Sequence, residues 1–325
     1  MRTLHRTLST AVMTAGLAAT IAASLAAGGC KKDGAGGGSA SASASSDLAL
    51  LPVDADFVAG LNLKQLQTSG MWTKYVQPQI MKGDTATKLA EFKSKCGFDP
   101  ISSITSVSVA GSMAGSQDVV MVVHGLDKSK VAACVDKEKA EIEKDGTTLT
   151  KDGDFFMMSK EGKTAAMTFV DDSTLVVGSG KYGSKASLVD VSAGKTALKT
   201  SATFTEMYKK IDTTKSIWFF ANGSSKAFDQ VQGMLSTRPV AVFGSLNVTD
   251  GIALDARMRV DSAGKATEMA NTFKGQIEGL KQMADKAEMS ADGSDVHVAI
   301  DMSQQKLQSA MQTFGPMLGL GGMGQ

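Results

Sequence analysis

The chain has 325 residues, a formal net charge of +1, 42% hydrophobic residues and only 6% aromatic ones. Removing residues 1–29 takes away Arg2, Arg6 and no acid, which leaves a net charge of −1. That balance excludes the basic field that nucleic-acid binding requires. Residues 47–325 suffice for one large domain or two smaller ones. The 19 methionines are read as flexible core filling, with a Met-lined groove as the rival reading.

Residues 1–30 have the three parts of a secretory signal: Arg2 and Arg6, an uncharged run from Thr7 to Gly29, and the small residues Ala26, Ala27, Gly28 and Gly29 before Cys30. The stretch "LAAGGCKKDG" resembles a bacterial lipobox, with Ala27 where that motif usually has Leu. The resemblance implies cleavage before Cys30 and acylation of its thiol, palmitate being one such chain. Two or three acyl chains, at about 0.8 kcal/mol per buried methylene, hold a protein on a membrane almost irreversibly. Cleaved secretion without lipid and an uncleaved helix are the alternatives. Lys31 follows the cysteine where Asp retains inner-membrane lipoproteins, so the resemblance points to the outer membrane of a Gram-negative bacterium. Residues 34–46, "GAGGGSASASASS", read as a flexible tether.

Asp56–Leu63 reads as a strand, followed by a helix to about Ile80 that Gly70 and Pro78 disturb. Thr85–Cys96 is a second helix with Gly97 as its stop signal. Ile104–Ala110 alternates apolar and polar residues as a half-buried strand does. It forms a hairpin with Val119–Val123. Asp127 is the N-cap of a helix to about Lys144. Two "KDG" turns bracket short strands, and Ala165–Val170 with Thr174–Val177 make another hairpin. The second half repeats this order. It has a helix at Thr205–Ile211, a strand at Ser216–Ala221 and a helix at Ser225–Leu235. A hairpin of Val240–Val248 and Ile252–Val260 follows, then a helix at about Lys265–Ala287. A strand at Asp295–Ile300 and a helix at Ser303–Phe314 complete it. The expected fold is α+β: two pseudo-repeated units of antiparallel sheet, 47–200 and 201–325, each covered on one face by helices. Residues 1–29 are the signal and 30–46 the anchor and tether.

The segments "LPVDADFVAGLNLKQL", "DDSTLVVGS" and "TKSIWFF" resemble a widespread group of uncharacterised bacterial envelope proteins. That group opens with a Leu-Pro-x-Asp-Ala segment, carries a D-D-x-T-L-V-V-G hairpin and repeats the unit. The resemblance implies a fold and a compartment and no particular chemistry.

"GSGKYG" at Gly178–Gly183 fits G-x-G-x-x-G, but it follows the second arm of a hairpin and lacks the acid about 20 residues on, so a plain turn is the better reading. His124 and His297 each lie close in sequence to an acid, Asp127 and Asp301, without metal-ligand spacing. No catalytic residue, metal site or cofactor is assigned. With Cys30 acylated, Cys96 and Cys134 are the two thiols left in an oxidising compartment, and a disulfide between them is expected; two buried free thiols are the rival. The expected function is a membrane-tethered envelope lipoprotein with a non-enzymatic binding or structural domain. Its partners would be the membrane through the lipid and an envelope protein or apolar ligand. The rivals are a periplasmic carrier of lipid and a hydrolase with an unrecognised site.

Overall fold

The computed structural model describes residues 44–112, 117–144, 146–230 and 237–314. Its strands are β1 (Phe57–Leu61), β2 (Ser106–Gly111), β3 (Val119–His124), β4 (Thr148–Asp152), β5 (Phe155–Lys160), β6 (Lys163–Phe169), β7 (Thr174–Ser179), β8 (Ile217–Asn222), β9 (Ala241–Val248), β10 (Ile252–Arg259), β11 (Lys286–Asp292) and β12 (Asp295–Met302). They form one 12-stranded sheet in the order β11-β12-β10-β9-β8-β1-β2-β3-β7-β6-β5-β4, and every neighbouring pair is antiparallel. The class is α+β, as the patterning requires. The repeat is visible in the connections. In each half a first strand is followed by a hairpin, then a long helix, then hairpin strands of which the last returns to pair with the third. β7 returns to β3 and β12 returns to β10. The two units share one sheet because their first strands pair, Phe57 opposite Ala221 and Leu61 opposite Ile217.

Successive strand residues point to opposite faces, and the core divides accordingly. Val120, Val122 and Val176 lie in a cluster with Leu188, Phe204 and Phe243 on one face. That face is covered by the helices Lys185–Ser192 and Ala202–Tyr208. Val123, Leu175 and Met167 lie in a cluster with Val131 on the other, under the helix Lys128–Glu143. Farther along this second face, the helix Ala263–Leu280 buries Ala266, Met269 and Ile277 against Met258, Val296 and Ala287.

Local chemistry sets the helix ends. Asp127 caps its helix through Oδ1 to Lys130 N, 2.9 Å, and Gly97, at φ 75°, ends the helix Gly83–Cys96. Cys96 and Cys134 form a disulfide with Cα atoms 4.7 Å apart, joining that helix to Lys128–Glu143. The helix expected to reach Ile80 is broken into Leu63–Thr68, a π-helical turn Trp72–Val76 and Gln77–Ile80, at the Gly and Pro that marked it. Two expectations need correction. The helix read as Lys265–Ala287 ends at Leu280, and β11 begins at Lys286. Pairing with β12 overrides the helical preference of its Lys, Ala, Glu and Met. Of the helix read at Ser225–Leu235, Lys226–Gln230 is a 3₁₀ turn, and residues 231–236 lie outside the described residues. The stretch read as a signal peptide, Cys30 and most of the stretch read as a tether also lie outside them.

Candidate functional site

The described chain starts on a helical turn, residues 44–47, inside the stretch read as tether. Ala44, Leu48 and Leu51 are buried in the first cluster. Asp47 ends this turn with its side chain 2% exposed. A carboxylate so placed must be paired, because desolvating an isolated charge costs several kcal/mol. It has two partners. Oδ1 lies 2.7 Å from His124 Nε2, and Oδ2 accepts from Ser108 Oγ at 2.6 Å. His124 closes β3, and its register partner Thr174 opens β7, so Thr174 Oγ1 falls 3.1 Å from His124 Nδ1. The backbone turn that delivers Thr174 is fixed by Asp171, which accepts from the Ser173 and Thr174 amides, both at 2.8 Å. These hydrogen bonds hold the Asp171 carboxyl below the usual range against the opposing effect of burial.

Four side chains from four elements thus form a chain: Ser108, Asp47, His124, Thr174. The order acid, imidazole, hydroxyl is that of a nucleophilic relay. The hydroxyl that would attack, however, sits on a residue only 5% exposed, out of reach of a substrate. The arrangement works as a clamp that fastens the start of the domain to β2 and β3. Beside it lies a small crevice of about 10 Å³, lined by Asp47, Ser108, Asn62, Thr213 and Trp218 among others. Gly60 is required there, since a Cβ would meet Trp218 Nε1 at 2.0 Å. Tyr208 lies under the same turn. Burial raises its hydroxyl pKa, Thr213 opposes the rise, and the Asp47 charge adds to it.

The residues carrying the family resemblance do mechanical work. Asp54 of the Leu-Pro-x-Asp-Ala segment accepts from Tyr182 Oη and Lys181 Nζ, both at 2.6 Å. Burial and the bond to Asp54 push the Tyr182 hydroxyl up to about 12. The Gly-rich stretch answers to packing. A Cβ on Gly178 would meet Tyr182 O at 2.2 Å, one on Gly183 would meet Thr164 O at 2.4 Å, and Gly180 has φ +60°. Among the described residues, no group of three or more His, Cys, Asp or Glu is placed to hold a metal ion.

The second charged cluster lies on the first-cluster face of the sheet, beyond the helices. Asp295 has a side-chain exposure of 0%. It accepts from Arg259 Nε, from Arg259 Nη2 at 3.2 Å and from Lys210 Nζ at 2.6 Å. Burial alone would raise its pKa, but the bonds from Arg259 and Lys210 win and lower it. Arg259 also donates to Glu206 at 3.0 Å, and Arg257 to Asp292 at 2.8 Å.

Sequence reasoning singled out both histidines, and the acids that stand near them in sequence, Asp127 and Asp301, are not the ones that pair with them. His124 is paired with Asp47 and not Asp127, which is spent as an N-cap. His297 is paired with Asp255 at 3.0 Å and not Asp301. Both true partners are distant in sequence, and no motif announces them. Asp47 itself was missed because a lone acid after a Gly/Ala/Ser tract looks like solvated chain.

No family model matches this chain, and no curated protein does. Solved structures of the Treponema protein TP0453 are similar in fold. Crystal form I aligns at 10% identity and TM-score 0.48, covering 82% of this chain and 96% of that one. Crystal form III aligns at 8% and 0.47, covering 82% and 97%.

Proposed function

We propose that this chain is an envelope lipoprotein, anchored through acylated Cys30, whose domain serves in binding or as a structural element and performs no catalysis. The observation that supports it most is the junction between tether and domain. A domain held on a membrane by its N-terminus needs that end fastened firmly, and here the first described turn is seated in the core and clamped by Asp47 to His124 and Ser108. The residues before it supply the rest: a secretory leader, a cysteine in lipobox context and a Gly/Ala/Ser spacer. Lys31 after the cysteine favours the outer membrane.

Cys30→Ala is expected to move the protein from the membrane fraction to the soluble envelope fraction and to abolish incorporation of labelled palmitate. The domain's unfolding midpoint should stay unchanged. Membrane association that survives the substitution would refute the lipid anchor and favour an uncleaved helix.

A further inference from the structure

The sheet has two edges, and they are treated differently. At one edge β4 is guarded. Lys139 Nζ donates to Leu149 O at 2.7 Å, and Glu143 accepts from Leu149 N at 3.2 Å. Both come from the helix Lys128–Glu143, and the two side chains pair with each other at 3.4 Å. The amide and carbonyl of Leu149, which could template another strand, are thereby occupied. At the other edge, no side chain among the described residues bonds a backbone group of β11. The helix beside it packs on the sheet face, where Met269 and Ala266 meet Met258 of β10, Met289 of β11 and Val296 of β12, and it donates no side-chain bond to the outward backbone row of the edge. Seven residues of edge strand are left with one row of amide and carbonyl groups unclaimed.

We propose that β11 is the seam of a homodimer, pairing antiparallel with β11 of a second copy about a two-fold axis through Met289. The argument is self-complementarity. An isologous interface places a surface against itself, so each residue must suit its own mirror position. The sequence of β11 is KAEMSAD. Centred on Met289, antiparallel pairing sets Lys286 opposite Asp292, Ala287 opposite Ala291, Glu288 opposite Ser290, and Met289 opposite itself. Both ends set Lys286 directly opposite an Asp292 that Arg257 also holds, and no like charges stand directly opposite one another. On the other face Ala287, Met289 and Ala291 continue the apolar surface that Ile277 and Val298 occupy within one copy. The small alanines leave room at the seam for the two helices to stand apart. Opposite-charge and apolar cross-strand pairs each add about 0.2–1 kcal/mol, and the interstrand hydrogen bonds supply the template. A second copy therefore continues the sheet across the two-fold.

Directly opposed residues of antiparallel strands have Cα atoms roughly 4.5–5.5 Å apart, inside disulfide range. The test uses the full chain in detergent. Met289→Cys should give an oxidised covalent dimer in high yield, and Thr148→Cys on the guarded β4 edge should not. Lys286→Asp should weaken self-association, read by sedimentation in density-matched detergent, by about tenfold. Adding Asp292→Lys should restore it. A sedimenting monomer at tens of micromolar would overturn the proposal, by the range of weak oligomers. So would Met289→Cys failing to link, or linking no better than Thr148→Cys. Weakening by Lys286→Asp without rescue by Asp292→Lys would assign the edge to a different occupant and overturn it too.

Discussion

Strands β3 and β10 hold the same place in the two units, third in order and paired with the unit's last strand, yet they are covered differently. β3 is buried on both sides: Val120 and Val122 face one helical layer and Val123 the other. β10 presents Met258 to its helix and Asp255, Arg257 and Arg259 to the opposite side, where Asp295, His297 and Asp292 answer them. Burying an aliphatic side chain contributes about 1.5–3 kcal/mol, and an exposed cross-strand ion pair about 0.2–1. The first unit is therefore held by burial on two faces. In the second unit β8 and β9 still bury Trp218 and Phe243 on the first face, but at β10 burial holds one face alone and matched charges keep the other in register.

The clamp and its counterpart give the largest test of this contrast. Asp47→Ala leaves His124 and Ser108 without their buried acceptor and should cost about 3–5 kcal/mol. Asp255→Ala removes the partner of His297 from a side chain 51% exposed and should change stability by no more than about 0.5 kcal/mol. Urea unfolding of both variants measures the difference, and equal losses would break the comparison.

The disulfide ties together elements of the first unit alone. Cys96→Ser with Cys134→Ser releases a loop of 38 residues' separation and should cost about 3–4 kcal/mol by the loop-entropy argument. Hydrogen exchange should rise first in Gly83–Cys96, which has no fully buried residue, while β10 and β12 stay protected to within the global loss.

Titration should separate the units by direction. Asp295 has a lowered folded pKa. Its contribution is fully present above the unfolded carboxylate pKa of about 4 and is lost as pH falls through the folded value. Asp295→Asn should flatten that acid limb and lower neutral-pH stability by about 2 kcal/mol. Tyr182 has a folded pKa raised to about 12. Its contribution is present below the unfolded pKa of about 10 and is lost as pH rises through the folded value, a limb that Tyr182→Phe should remove.

A local effect belongs to the Gly-rich stretch. Gly180→Ala forces a side chain into the left-handed region and should cost about 1–2 kcal/mol. Saturable binding of a dinucleotide by the unaltered protein, lost in this variant, would show that packing is not the whole reason for the glycines.

Much of this fold was legible in the sequence, because hydrophobic period and turn chemistry are local. β3, the Asp127 cap and the Gly97 stop all follow from neighbours a few residues away. β11 was not legible. Its residues favour helix, no Gly or Pro separates it from the helix ending at Leu280, and only β12 makes it a strand. The clamp was half legible. His124 stood out as rare, but the acid that meets it lies 77 positions away, and long-range pairing of single polar residues leaves no periodic trace. The bare face was hidden for a related reason: alternation in β10 and β12 shows which residues turn from the core, while their mutual pairing depends on register.

The clamp has a mechanical consequence. Asp47 rests on β2 and β3, in the middle of the twelve strands and far from either edge. A pull applied through the N-terminus would therefore not peel strands one at a time. It would first load the Asp47 contacts together, then Leu48 and Leu51 in the core, then the bridge of Pro52 with Ala197, before any strain reached β1. Residues 44–52 would have to come away before load passed to the sheet behind them.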